Sequence, residues 1–124
     1  MARAANREVT VIASAAYTAS QNSADLENPY ARGAVIVIDA TASAATPSVV
    51  FTVKGKSALG NDYYTILTSA AITGTGTTIL RIYPGLTAAA NVAVNDVLPR
   101  AWRIEAVAGD ADSLTYSVSC NYIL

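Results

Sequence analysis

Apolar and polar residues alternate along most of the chain with a period of two, the spacing of strands that lay one face on a core and show the other to solvent. The final stretch holds the pattern best. Leu114, Tyr116, Val118, Cys120, Tyr122 and Leu124 alternate with Thr115, Ser117, Ser119, Asn121 and Ile123, so one face is apolar and the other mostly small and polar. Just upstream, over Ala101 to Ala108, Trp102, Ile104 and Ala106 oppose Arg103 and Glu105, and Gly109-Asp110 predicts a hairpin joining the two strands. Ala34 to Ala40 (AVIVIDA) is apolar on both faces, as in a central strand. Val49, Phe51 and Val53 alternate with Val50, Thr52 and Lys54 after the Pro47 break, and this strand is expected to pair with Ala34 to Ala40. Gly60-Asn61 marks a hairpin turn between Lys56 and the strand Tyr63 to Ser69, since both residues tolerate positive φ. Thr77 to Tyr83 follows Gly74-Thr75-Gly76 and stops at Pro84-Gly85, while Glu8 to Tyr17 predicts an N-terminal strand weakened by its alanines.

One segment breaks the rhythm. In PGLTAAANVAVNDVLP, from Pro84 to Pro99, the alanines favour a helical turn, but Asn91, Asn95-Asp96 and the bounding prolines predict a long ordered loop. Loops of this length are usually functional. Many short strands with no amphipathic helix predict an all-β fold, an antiparallel β-sandwich or jelly-roll-like single domain over 31–124. Residues 1–30 are read as an extended N-terminal arm with a possible edge strand.

Composition changes what such a domain needs around it. Hydrophobic residues make up 52% of the chain and charged ones only 14%, against roughly a quarter charged in an ordinary soluble domain. Mean hydropathy is +0.35. No apolar run approaches the ~18 residues that span a bilayer, and the longest uninterrupted one is Ala34 to Ile38. A membrane partner is therefore not expected, and burial of the surface in a protein assembly is. Eight basic and nine acidic residues lie scattered singly, so there is no stripe to collect phosphates and nucleic acid is not an expected partner. Arg3 and Arg7 ahead of Val9 to Ala16, with the spacing Ala13-x-Ala15, have the outline of a secretion signal, but Glu8, Thr10 and Ser14 interrupt it. At 124 residues the chain is long enough to bury about two-thirds of its unfolded surface in one core.

Catalytic chemistry finds little to work with. The sequence has no His and no nucleophile elbow, phosphate-binding loop or zinc-helix motif, so neither an enzyme nor a cofactor is expected. Its single Cys, Cys120, excludes an internal disulfide, and alternation puts it on an apolar face, where an inert thiol is the default. Asp110 and Asp112 resemble a fragment of a calcium loop but suit a solvated turn better. Asp39, at the end of an apolar strand, suits either a buried acid of shifted pKa or the strand's exit to solvent. Tyr63-Tyr64, Tyr83, Tyr116 and Tyr122 have the composition of a carbohydrate-stacking platform, yet Tyr116 and Tyr122 fall on the core side.

From Ala31 onward the chain resembles a family of small virion proteins of tailed bacteriophages, the head decoration or cement subunits. The residues that carry the likeness are VVFTVKGK from Val49, DYYTILTSAAI from Asp62, LRIYPGLTAAANVAVNDVLPRAWRI from Leu80 and GDADSLTYSV from Gly109. The resemblance implies a non-enzymatic protein made in the bacterial host cytoplasm and carried on the capsid surface of the virion. It also implies a homo-oligomer, a trimer at symmetry axes, bound to the major capsid protein. The contacts are expected from the arm (Arg3, Arg7, Tyr17, Tyr30) and from the long loop (Tyr83, Leu86, Val92, Val97, Leu98, Arg100). A tail, collar or fibre component and a carbohydrate- or host-binding module on the virion surface are the rival readings.

Overall fold

The computed structural model describes residues 6–57 and 59–124. Ten strands follow one another: β1 (Arg7–Tyr17), β2 (Gln21–Asn22), β3 (Leu26–Glu27), β4 (Gly33–Ser43), β5 (Val49–Lys56), β6 (Tyr63–Thr68), β7 (Gly76–Ile82), β8 (Ala93–Val94), β9 (Ala101–Ala108) and β10 (Leu114–Ile123). They form two sheets, ordered β1-β10-β4-β7-β8 and β2-β9-β5-β6, with β3 also pairing β9. The fold is an all-β sandwich. Every pairing is antiparallel except β7 with β8.

The long strands lie where period-two alternation puts them, and β4 is the central strand of its sheet. Two expected pairings are overturned. β9 and β10 are not a hairpin, and β4 does not pair with β5: in each case the two neighbours in sequence occupy opposite sheets. β10 lies between β1 and β4, while β9 lies beside β5. Alternation shows that a strand has a buried face, but strands that share a sheet and strands that face each other across the core bury that face equally well. The two crossings, residues 44–48 and 109–113, run side by side and are joined to one another. Ala44 N donates to Ser113 O (2.9 Å) and Gly109 N to Ser48 O (2.8 Å). The Asp112 carboxylate accepts from Thr46 N (3.1 Å) and from the Thr46 hydroxyl (3.3 Å). The β5–β6 hairpin forms as expected, with Asn61 at φ 62.

Residues 1–30 are not set apart as an arm in their described part. β1 is an outer strand of the first sheet, and after a bend at residues 18–20 the chain crosses to the second sheet, where β2 and β3 add to β9. Ser20 and Ser23 fasten this strap: their hydroxyls accept from Ala108 N and Ile104 N, both at 2.9 Å. Two register irregularities, at Thr10/Ile12 and Ile12/Ala15, bend β1, as bulges do at sheet edges. Arg3, with the rest of Met1–Ala5, lies outside the described residues.

Between the sheets, Phe51 meets Tyr116 edge-on with ring centroids 4.9 Å apart, and Trp102 meets Tyr122 edge-on at 6.0 Å. Ile36, Ile38, Leu80, Ile82, Val118 and Leu114 fill the first sheet's inner face and Val53, Ile104 and Ala106 the second's, all of them buried. The Trp102 indole N–H donates to the Tyr122 hydroxyl (3.2 Å), which donates to Glu27 O (3.2 Å), so the polar tips of two core aromatics are satisfied and tie the strap to both sheets.

Candidate functional site

The two ends of the sandwich differ in chemistry. One end, where β10 finishes, collects the starts of β1, β4, β6 and β9 and the ends of β5 and β7. Registers such as Arg7 with Tyr122, Gly33 with Ile123, Ala34 with Ile82 and Lys56 with Tyr63 place them there. This Leu124 end carries six of the seven large exposed hydrophobic residues among those described: Tyr30, Leu59, Tyr64, Val92, Val97 and Leu124, with only Val107 elsewhere. The opposite, Asp112 end consists of the crossings at residues 18–20, 44–48, 70–75 and 109–113, which are almost entirely Ala, Ser, Thr, Gly and Asp.

Buried polar anchors hold the apolar end in shape. Asn28 is 6% exposed and spends its whole side chain on the loop around it. Its amide donates to Ala31 O (2.9 Å) and Leu98 O (3.0 Å), and its oxygen accepts from Ala31 N (2.9 Å). Pro29 and Tyr30 are thereby pushed out at the tip of a tight turn, with Tyr30 71% exposed. Tyr83 ties down the C-terminal residue by donating to Leu124 O (2.7 Å), and Leu124 N donates to Asn6 Oδ1 (3.0 Å). Gly33 is glycine by necessity, because a Cβ there would collide with the Ile82 carbonyl and the Tyr83 ring. Within the long loop, Gly85 (φ 94) and Asn91 (φ 66) take left-handed turns, and the loop forms strand β8 rather than a helix. Val92 and Val97 (55%) stand out from it.

Of the expected contact residues, Arg7, Tyr30, Tyr83, Leu86, Val92, Val97 and Arg100 come together at this end. Arg7 stands over the Tyr122 ring at 5.9 Å, and Arg100 donates to Glu27 at 2.7 Å. Leu98 is a correction: it is 4% exposed and belongs to the core, because Leu98 N donates to Arg32 O (2.8 Å) and its carbonyl is held by Asn28. Tyr17 is a second correction. It pairs with Leu114 at the other end of β1, its ring packs on Tyr116 at 4.8 Å, and its hydroxyl donates to Ala13 O. Leu59, Tyr64 and Leu124 were not expected in the surface. The one signal for Leu59 was an apolar residue directly before the Gly60-Asn61 turn.

Beside this end, the outer face of the second sheet carries a charged cluster. Asp25, from the strap, accepts from Lys56 Nζ (2.7 Å) and from the Tyr63 hydroxyl (2.8 Å). The Arg103 guanidinium stands over the Tyr63 ring at 3.7 Å and pairs with Glu105 at 2.6 Å. The hydrogen bonds from Lys56 and then Tyr63 hold the Asp25 carboxyl below its ordinary range, and the bond to Asp25 raises the Lys56 ammonium above its own. An open cleft of about 490 Å³ beside the cluster is lined by Asp25, Leu26, Glu27, Lys56, Arg100 and Ala101.

The other chemical candidates disperse. Asp39 is exposed on the outer face of β4, not buried. Asp110 accepts from Asp112 N, and Asp112 is spent on Thr46, so this pair locks a crossing. Among the described residues no three His, Cys, Asp or Glu side chains gather as metal ligands would. Burial pushes the Cys120 thiol up to about 12, which leaves it protonated and unreactive. The tyrosines form no open platform: Tyr116 and Tyr122 are in the core, Arg103 covers one face of Tyr63, and Tyr64 lies over Gly55. No family model, curated protein or solved structure matches the chain.

Proposed function

We propose that this chain is a non-catalytic structural subunit of a bacteriophage virion that decorates the outside of the head, seating its Leu124 end against the major capsid protein. The observation that carries the reading is the concentration of exposed apolar and aromatic side chains at that end, opposite an end of small polar residues. An apolar patch rimmed by paired charges such as Arg100–Glu27 and Lys56–Asp25 has the anatomy of a docking surface. The resemblance to decoration subunits supplies the partner. The strand order, in which β1 to β2, β3 to β4, β4 to β5, β6 to β7, β8 to β9 and β9 to β10 each change sheet, reads as a jelly roll of two Greek keys.

Cosedimentation with purified empty shells tests the reading. The wild-type chain binds in hundreds of copies per shell, and Tyr30→Asp/Val97→Asp loses binding at least tenfold while keeping its thermal midpoint. Saturation at a dozen copies or fewer would point to a collar or tail component, and binding unaffected by the double substitution would overturn the docking surface.

A further inference from the structure

A second surface is set apart by its lack of charge. The outer face of the first sheet is built from rows that run across β1, β10, β4 and β7. One row reads Glu8, Asn121, Val35, Arg81, the next Thr10, Ser119, Val37, Ile79, and the third Ser117, Asp39, Thr77. Glu8, Asp39 and Arg81 are the only charges in these rows; the centre consists of Ser, Asn, Val and Ile. The second sheet, by contrast, covers its outer face with Lys54, Lys56, Arg103 and Glu105.

We infer that this face pairs with the same face of a second copy, about a two-fold axis that runs parallel to the strands between β10 and β4. Charge placement selects the operation. Such an axis reverses each row onto itself, so Glu8 lies over Arg81 of the other copy and Arg81 over Glu8. Asp39 lies over the Ser117 hydroxyl, which donates to its carboxylate, and the Ser119–Val37 centre closes on itself. Glu8 and Arg81 each meet the opposite charge and Asp39 meets a hydroxyl donor, each twice, as an isologous interface requires. Four strands about 4.8 Å apart and some seven residues long give a face of roughly 450–500 Å² per copy, so the pair reaches about 1,000 Å² in total, the lower bound for a specific interface. The small side chains let the two sheets approach to the ~10 Å of face-to-face packing. The axis also keeps both chains pointing the same way, so both Leu124 ends face one surface. On the proposed function, the pair is a two-footed subunit whose second foot binds at raised effective concentration. The pairing itself does not depend on that function, and it departs from the trimer that the resemblance implies.

Sedimentation equilibrium on the free full-length chain, without shells, tests the pairing. The wild type forms a dimer. Glu8→Arg sets like charges opposite each other twice and weakens the dimer at least tenfold, as does Arg81→Glu, and the double swap Glu8→Arg/Arg81→Glu restores it. Val37→Arg, which points outward and leaves the core untouched, abolishes it while circular dichroism and the thermal midpoint stay native. A wild type that sediments as a monomer or a trimer, or a dimer indifferent to Val37→Arg, would overturn the proposal. A dimer that forms but does not bind shells would leave it standing and remove the decoration reading instead.

Discussion

Asn28 shows how one side chain shapes a surface it does not itself belong to. Its amide and carbonyl make three hydrogen bonds in a buried position, and the turn they close is what exposes Tyr30. Asn28→Ala leaves the Leu98 carbonyl without its side-chain donor, so about 1–3 kcal/mol should be lost. Urea unfolding would show this as a lower midpoint at unchanged slope, and a midpoint within error of wild type would contradict it. Burial shifts the titration of the core. Desolvation pushes Tyr116 from 10.0 to about 12 and Cys120 from 9.0 to about 12. Both raised values mean the folded chain holds its protons longer, so the stabilisation is complete below about pH 9 and is lost as pH rises toward 12. Spectrophotometric titration of the seven tyrosines should show Tyr116 ionising only with the alkaline unfolding transition; a Tyr116→Phe variant that removed an ordinary step near pH 10 would contradict this.

At the scale of elements, the strands were legible from the sequence and their partners were not. Leu114 to Tyr122 and Trp102 to Ala106 declare their buried faces by alternation, and both faces are indeed buried. Which strand sits beside which rests on contacts between segments far apart in sequence, the ladders themselves and crossings such as Asp112 with Thr46, and no local pattern encodes a contact across that separation. The exposed apolar end was half legible for the same reason. Exposed Val92 and Val97 lie in a loop that its length and bounding prolines marked, but a loop has no face periodicity, so Leu98 could not be told from its neighbours. Asp112→Ala should speed hydrogen exchange at the Thr46 amide at least tenfold while the central amides of β4 stay protected; equal rates would show that the crossing holds without it. The strap carries its own clamp, whose pH window follows from its two partners. Asp25 is lowered, so the clamp persists above the ordinary carboxylate range and is lost only as pH falls through the folded value; Lys56 is raised, so it opens on the alkaline side only beyond the usual lysine range. Carbon-detected titration should place the Asp25 midpoint below 3.8, and a Lys56→Met variant should return it toward that value.

For the whole molecule, light charge and one-ended exposure describe a single design. A chain with 14% charged residues cannot spread charge over every face, and this fold gathers Asp25, Lys54, Lys56, Arg103 and Glu105 on the outer face of the second sheet. One end sets its exposed apolar side chains among a few charges such as Arg7, Asp96 and Arg100, and the outer face of the first sheet is nearly neutral. Such a distribution suits a subunit that stands on a larger body and touches a neighbour along its side, leaving the charged sheet and the Asp112 end to solvent. The measurement that tests this most directly is a density map of a particle bearing the chain, at a resolution that separates strands. It should show hundreds of copies on the head with Tyr30, Val92, Val97 and Leu124 turned toward the shell. Copies standing on the Asp112 end, or a head with no density for the chain, would contradict it.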